Sequence, residues 1–593
     1  MGYERESLVK HPRWGFYVQR GDKRSYLLSA RRAVVVSLLI VLSLVTFHFT
    51  FNHFNHPPHN LPHAAPPTLI YKRESISWTP CGTLDGHELE CSNITVPMDH
   101  FNSTNNAPDD KSFTIPLLRM RSKNANTTTN LLLNPGGPGG SGTAFVHVRG
   151  ALLSTMLGDA FHLVGFDPRG VNQSVPLASC YPSAEARQEL SPVRAKKVVE
   201  DSGELWAWSR NLAQACADTM GPHAAYINTP QTAADMNLIL DALGQRDLYY
   251  WGLSYGSLLG QTYATMFPER AKRVVIDGVM NQFDWYEKLL DWEMMVDTDE
   301  LFAGFLSECI KAGSEDCALA EEAETEEELF ELLVNEVGKL RDDPTSVYLG
   351  SSVHGVLDFW EVWFRGIFLG LYRPANWQEL AKNLALLLRG NATEAFLAYG
   401  QQPWATSSDS LNLISHNDGT SGPANWPTDR TGLVEQLLSY FNNQSLFNGF
   451  FYDFFFAKQA WTIPRTHPYV PQRRVKTAHP LLILSTTYDP VCPLVSARSA
   501  NDVFEGSRIV EVKGYGHCSL ALPSMCVTQH VREYLTEGKL PSENVQCEPD
   551  GKPYFSNPQE TMASLEARSF QDAEGIIRLA QLELARDPVL WPW

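Results

Sequence analysis

Basic residues are scarce in this chain. Lys and Arg number 48 against 67 Asp and Glu, a formal charge of −19 at pH 7. Such a surface lacks the clustered cations that phosphates require, so nucleic acid is excluded as a partner. No His-Glu-x-x-His zinc motif occurs, which removes the commonest metalloprotease ligand set. No internal repeat is evident, which excludes a solenoid or a propeller. Ten cysteines in 593 residues cannot form a disulfide-only scaffold. Apolar residues at 44% against 19% charged exclude a wholly disordered chain and allow a sizeable core.

Long apolar runs are also rare. The one run long enough to cross a bilayer, residues 33–51, carries no full charge. At about 1.5 Å per residue a helix there spans roughly 28 Å, close to a hydrocarbon core. Eight basic residues against three acidic ones precede it within residues 1–32, and no Lys or Arg follows until Lys72. The positive-inside rule then keeps the N-terminus cytosolic. The expectation is a signal anchor of a single-pass type II membrane protein, with everything after residue 51 lumenal or extracellular, in the secretory pathway. A cleaved signal peptide would have a shorter basic region and a shorter apolar run. Sequons at Asn93, Asn102, Asn126, Asn172, Asn391 and Asn443 suit that compartment, with Asn172 close to the core. So do cysteines that fall in sequence-near pairs: Cys81 and Cys91, Cys180 and Cys216, Cys309 and Cys317, Cys526 and Cys547. Spacing alone does not fix connectivity. Each bridge formed would add roughly 2–4 kcal/mol.

The texture of the chain divides it. Residues 1–32 are a basic tail, 33–51 the anchor and 52–74 a His- and Pro-rich stalk with no packed element. From residue 75 to 283, apolar runs alternate with helical segments. Asn130–Asn134, His162–Phe166, Leu248–Trp251 and Arg273–Asp277 read as strands, and Thr232–Gly244 as a helix with a glycine stop. Residues 284–470 read as helices rich in aromatics, including an acidic one from Glu321 to Arg341. The strand pattern resumes over 471–548, at Leu481–Ser485 and Ser507–Val512, and a tail with one amphipathic stretch fills 549–593. Strands apolar on both faces and alternating with helices imply an α/β fold: a mostly parallel sheet covered on both sides, interrupted by a large helical cap.

Gly252-Leu253-Ser254-Tyr255-Gly256 is a G-x-S-x-G pentapeptide between an apolar strand and a helical run, where a nucleophile elbow belongs. A serine hydroxyl needs a base, and the base needs an orienting carboxylate. In this architecture the order is Ser, then Asp or Glu, then His. Asp489 follows the strand ending at Ser485, and His517 follows the strand ending at Val512. Both lie at strand carboxyl ends, where open α/β sheets place their sites. Asp502 is a rival acid but lies in a helical stretch. Donors for a developing oxyanion are expected from the backbone N–H of Tyr255 and of Gly137, the latter in Pro135-Gly136-Gly137-Pro138-Gly139. No Lys-Ser/Thr follows that loop, so it is not a P-loop. This chemistry requires neither a metal nor an organic cofactor.

These motifs resemble those of α/β-hydrolase serine peptidases of the prolyl and tripeptidyl aminopeptidase type, in a fungal and actinobacterial branch with a TAP-like C-terminal domain. The resemblance rests on Trp78-Thr79-Pro80-Cys81, Asn134 to Gly142, Phe166-Asp167-Pro168-Arg169-Gly170, the Ser254 pentapeptide, Tyr488-Asp489-Pro490-Val491 and Gly516-His517-Cys518-Ser519. It covers residues 77–283 and 466–555. It implies a hydrolase that releases residues or short peptides from free N-termini. Cys492 departs from the Thr that such proteins more often carry there, and the insertion has no cysteine between Cys317 and Cys492, so the expectation is that Cys492 pairs with Cys518. An exopeptidase must hold the substrate ammonium. Asp284, Glu287, Asp358 and Glu361, near aromatics of the cap, are the candidates. A carboxylesterase or lipase could use the same triad, and an idle binding domain could use the same scaffold. Asp167 and Arg169 read as braces below the site.

Overall fold

Strands apolar on both faces must be covered on both. The computed structural model describes residues 69–102, 111–191, 197–400, 408–555 and 573–586. Its strands are β1 (Leu69–Ile70), β2 (Ser77–Leu84), β3 (His87–Pro97), β4 (Ser112–Met120), β5 (Asn130–Asn134), β6 (His162–Phe166), β7 (Leu248–Leu253), β8 (Ala271–Asp277), β9 (Thr345–Gly350), β10 (Val353–Leu357), β11 (Leu482–Tyr488), β12 (Arg508–Tyr515) and β13 (Val545–Cys547). Eleven of them form one sheet in the order β1-β2-β3-β4-β6-β5-β7-β8-β11-β12-β13. From β6 to β13 every neighbouring pair is parallel, and from β1 to the β4–β6 pair every one is antiparallel.

The two faces sort the apolar residues by parity. Leu132, Tyr250, Val274, Ile276 and Ile483 enter one core, and Leu131, Leu133, Trp251, Val275, Leu482 and Leu484 enter the other. The six strands read from the sequence are all present. The antiparallel edge was not read as strands: exposed residues interrupt β2 and β3, and Pro116 and Arg119 interrupt the apolar run of the buried β4. There β2 and β3 are joined by Asp85-Gly86, both at positive φ, a two-residue hairpin turn bridged by Cys81–Cys91.

Helix Gly142–Leu157 lies directly on β6. A Cβ at Gly165 would fall 1.9 Å from the Gly142 carbonyl oxygen. Gly165→Ala is therefore expected to lose about 3 kcal/mol, read as a fall in the urea midpoint at unchanged m-value.

The cap enters between β8 and β11, neighbours in the sheet. It is mostly helical, as its composition implies, but the hairpin β9–β10 interrupts it. Its interior is aromatic: Phe302, Phe305, Trp363, Phe368, Trp377 and Phe447 share one cluster, and Trp426, Tyr440, Phe455 and Phe456 another. The acidic helix runs Glu326–Lys339, capped by the Thr325 side chain, and buries Leu329, Leu333 and Val337. The amphipathic stretch of the tail is the helix Ala573–Arg586.

Four disulfides join the sequence-near pairs 81–91, 180–216, 309–317 and 526–547. Cys492 and Cys518 do not pair, contrary to expectation: both are free and buried. Cys518, at φ +62°, turns its sulfur to the Asp277 carbonyl, 3.5 Å away, while Cys492 lines the same pocket as Ser254. The expected anchor 33–51, the tail 1–32 and most of the stalk lie outside the described residues. Among the described residues no helix is long and apolar enough to cross a membrane. Asn93, Asn102, Asn126, Asn391 and Asn443 are exposed. The Asn172 amide is engaged by Asp167 and Ser141.

Candidate active site

β7 ends at Leu253, and the helix Tyr255–Met266 begins one residue later. The serine between them has φ +56° and ψ −123°, a backbone strained for any side chain. The neighbours hold it there. A Cβ at Gly252 would meet the Gly256 carbonyl at 2.2 Å, and one at Gly256 would meet that of Asn134 at 2.7 Å. Both glycines of the pentapeptide are thus required by close approach. The Ser254 N–H donates to the Asp277 carbonyl at 2.8 Å.

Asp489 follows β11 directly and is fully buried. Its carboxylate accepts the backbone N–H groups of Val491, Cys492 and Cys518 at 3.0, 2.8 and 2.9 Å. It also accepts His517 Nδ1 at 2.8 and 2.9 Å. A ring that donates from Nδ1 keeps its lone pair at Nε2, the tautomer a general base needs. His517 is gripped from the cap as well: its N–H donates to the Tyr372 carbonyl at 3.0 Å, and the Tyr372 ring meets its ring edge-on at 4.9 Å. Ser254 and Cys492 of the acid loop line one pocket. Asp502, the rival acid, lies in the helix Leu494–Val503.

Sequence reasoning passed over Asp277 as the end of a strand. Its carboxyl accepts the Ser519 N–H and hydroxyl at 2.7 and 2.6 Å, while its carbonyl holds Ser254. It therefore ties the nucleophile turn to the histidine loop. Burial pushes its pKa up to about 6, against the pull of those donors. The legible signal was an acid closing the otherwise apolar run Val274-Val275-Ile276.

The glycine loop closes over the serine. Gly136 lies so near the elbow that a Cβ there would fall 2.4 Å from the Leu253 carbonyl and 3.1 Å from the Tyr255 nitrogen. Gly137, at φ +111°, and Pro138 line the same pocket as Ser254. Asp167 braces the loop through Ser141 and Thr143, at 2.6 and 2.8 Å. Arg169 is paired with Asp235 beneath it. Both act as the braces expected.

The pocket has a volume of about 830 Å³. Met280, Trp285, Met294, Phe454, Phe455 and Val491 make most of its wall apolar. Of the four carboxylates proposed for an ammonium, only Asp284 lines it. Asp358 and Glu361 are buried in a reciprocal cap of their own helix: the Asp358 N–H donates to Glu361, and the Glu361 N–H to Asp358. Glu287 pairs with Arg473 at 3.5 Å and is partly exposed. The residues missed are Asp291 and Lys458, both on the pocket wall. Asp284 accepts the N–H groups of Trp292 and Glu293. Burial, then neighbouring Glu293, pushes its pKa up. Burial, then Asp284, pushes Asp291 up to about 7. Lys458 donates to the Leu289 carbonyl, and burial brings its pKa down to about 8. Two carboxyls and one buried ammonium thus share the pocket wall, and once both acids are ionised the wall suits one more cation. No local signal marked Asp291 or Lys458, because some 165 residues of cap separate them.

Residues 129–308 match the family model described as alpha/beta hydrolase fold, and residues 447–547 that of TAP-like protein. The chain is 27% identical over 514 residues to the tripeptidyl aminopeptidase of Streptomyces lividans, covering 81% of this chain and 88% of that one. It is 26% identical over 513 residues to the serine protease Hip1 of Mycobacterium tuberculosis, covering 80% and 91%. It is 27% identical over 500 residues to carboxylesterase B of the same organism, covering 80% and 90%. The sheet order and the strained serine after β7 are those of the alpha/beta hydrolase fold that residues 129–308 match, and residues 447–547 add the match to TAP-like protein.

Proposed function

We propose that the chain is a serine aminopeptidase that cleaves peptides with a free N-terminus. The Ser254 hydroxyl attacks the scissile carbonyl while His517 Nε2 takes its proton. Asp489 stabilises the imidazolium through Nδ1–H. The backbone N–H groups of Gly137 and Tyr255 receive the oxyanion, each worth roughly 3–4 kcal/mol. His517 returns the proton to the leaving amine, and water then hydrolyses the acyl-enzyme.

The observation that carries this reading is the carboxylate pair Asp284 and Asp291 on the wall of the pocket that contains Ser254. A charge there is poorly solvated, so the substrate ammonium is strongly felt. The apolar wall and the resemblance to carboxylesterase B favour a second reading, an esterase with the same triad. An aminoacyl or tripeptidyl anilide, its N-acetylated form and a p-nitrophenyl ester separate the two. Equal turnover of free and blocked amines would overturn the aminopeptidase.

The pair also sets a pH dependence. Ionised Asp291 accumulates as pH rises through about 7, so kcat/KM for the free-amine substrate is expected to climb there. The ester lacks that additional limb, and Asp291→Asn removes it. The linked stability runs the other way. The folded state holds this proton more tightly than the unfolded chain, so the group's contribution falls as pH rises from about 4 to about 7.

For location, we propose a type II orientation with the hydrolase lumenal or extracellular. The run at 33–51, four disulfides and exposed sequons support it.

A further inference from the structure

Arg373 is the most anomalous charge in the fold. It is 93% buried, its relative exposure being 7%, and neither Nη1 nor Nη2 has a hydrogen-bond partner. No carboxylate among the described residues pairs with it. Arg149, on the helix Gly142–Leu157, adds repulsion of the same sign, while Arg149 itself feels the Glu583 carboxylate. Burial with that repulsion brings the Arg373 pKa down to about 9, still charged at neutral pH. A buried guanidinium without a counter-charge is a large penalty, and proteins of ordinary stability relieve it with an anion.

The position is well defined. Arg373 opens the turn Pro374–Asn376, whose Asn376 N–H returns to the Arg373 carbonyl at 3.0 Å. Asn376 also donates to the Arg586 carbonyl at 3.3 Å, which fastens the turn to the helix Ala573–Arg586. On its other side the turn packs on the histidine loop: a Cβ at Gly516 would meet Pro374 at 2.8 Å. The preceding residue, Tyr372, is the one that grips His517.

We propose that the Nη1 and Nη2 groups of Arg373, beside Arg149, bind a small monovalent anion of the halide class. Planar N–H forks suit such an ion. Its effect is to stabilise the 372–376 turn behind His517. The site is separate from the pocket that contains Ser254, whose wall includes neither arginine.

The test uses the full-length protein in gluconate buffer, with bromide replacing gluconate at constant ionic strength. The melting temperature of the wild type is expected to rise by a few degrees and saturate, because a ligand that binds only the folded state stabilises logarithmically. Arg373→Met is expected to lose the saturable rise. An equal rise in both proteins, or none in the wild type, overturns the site. Should Arg373→Met fail to fold, anomalous diffraction from bromide-soaked wild-type crystals decides. A peak within hydrogen-bonding distance of the Arg373 Nη atoms supports the proposal, and its absence refutes it.

Discussion

Ser254→Ala is expected to lower kcat by about 10⁶-fold while leaving the fold intact. The hydroxyl is the attacking atom, and no other group in the pocket replaces it: the adjacent Cys492 thiol is held well above its ordinary pKa by burial and by Asp489, hence protonated and inert. The strained backbone at position 254 is imposed by Gly252, Gly256 and the bond to Asp277, so removal of one oxygen leaves it in place. The measurement pairs anilide hydrolysis with a thermal melt. A variant that melts like the wild type and retains more than a hundredth of its turnover would end the serine mechanism. Loss of labelling by a fluorophosphonate probe gives the same answer without a substrate.

Asp489→Asn should cost about 10⁴-fold in kcat, the second largest effect. The carboxylate accepts four N–H groups, from Val491, Cys492, Cys518 and the His517 ring. An amide offers one oxygen and one NH₂, so at least one buried donor faces another donor. Either the ring flips to the wrong tautomer or the loop moves. A loss below tenfold would show that another group orients His517. Asp277, which binds Ser519 two residues on, would be the first to examine.

The parallel half of the sheet was legible because burial on both faces leaves an uninterrupted apolar run, and Leu131–Leu133 or Val274–Ile276 have no other reading. The Asp489–His517 pair was legible because each member stands just past such a run, and chain order supplied the expected roles. The antiparallel edge was not, since exposed residues in β2 and β3, and Pro116 and Arg119 in β4, break the pattern. The disulfide inferred between Cys492 and Cys518 failed because being the two cysteines left over says nothing about where two sulfurs point. Of the ammonium candidates Asp284 lies on the pocket wall, and two others are engaged elsewhere. Asp358 and Glu361 carry the right charge among aromatics, but a helix start consumes both. Asp291 and Lys458 meet only because the cap folds back, and that is tertiary information.

The cap interrupts the polypeptide between β8 and β11, yet those strands lie side by side, with Asp277 opposite Leu484. The nucleophile therefore belongs to one length of chain and the acid and base to another. What keeps them in register is a seam of backbone hydrogen bonds, not the covalent thread that wanders through the cap for some 200 residues. Lineages could lengthen, trim or replace that excursion and so retune what is cleaved, while the reacting atoms stayed where the seam holds them.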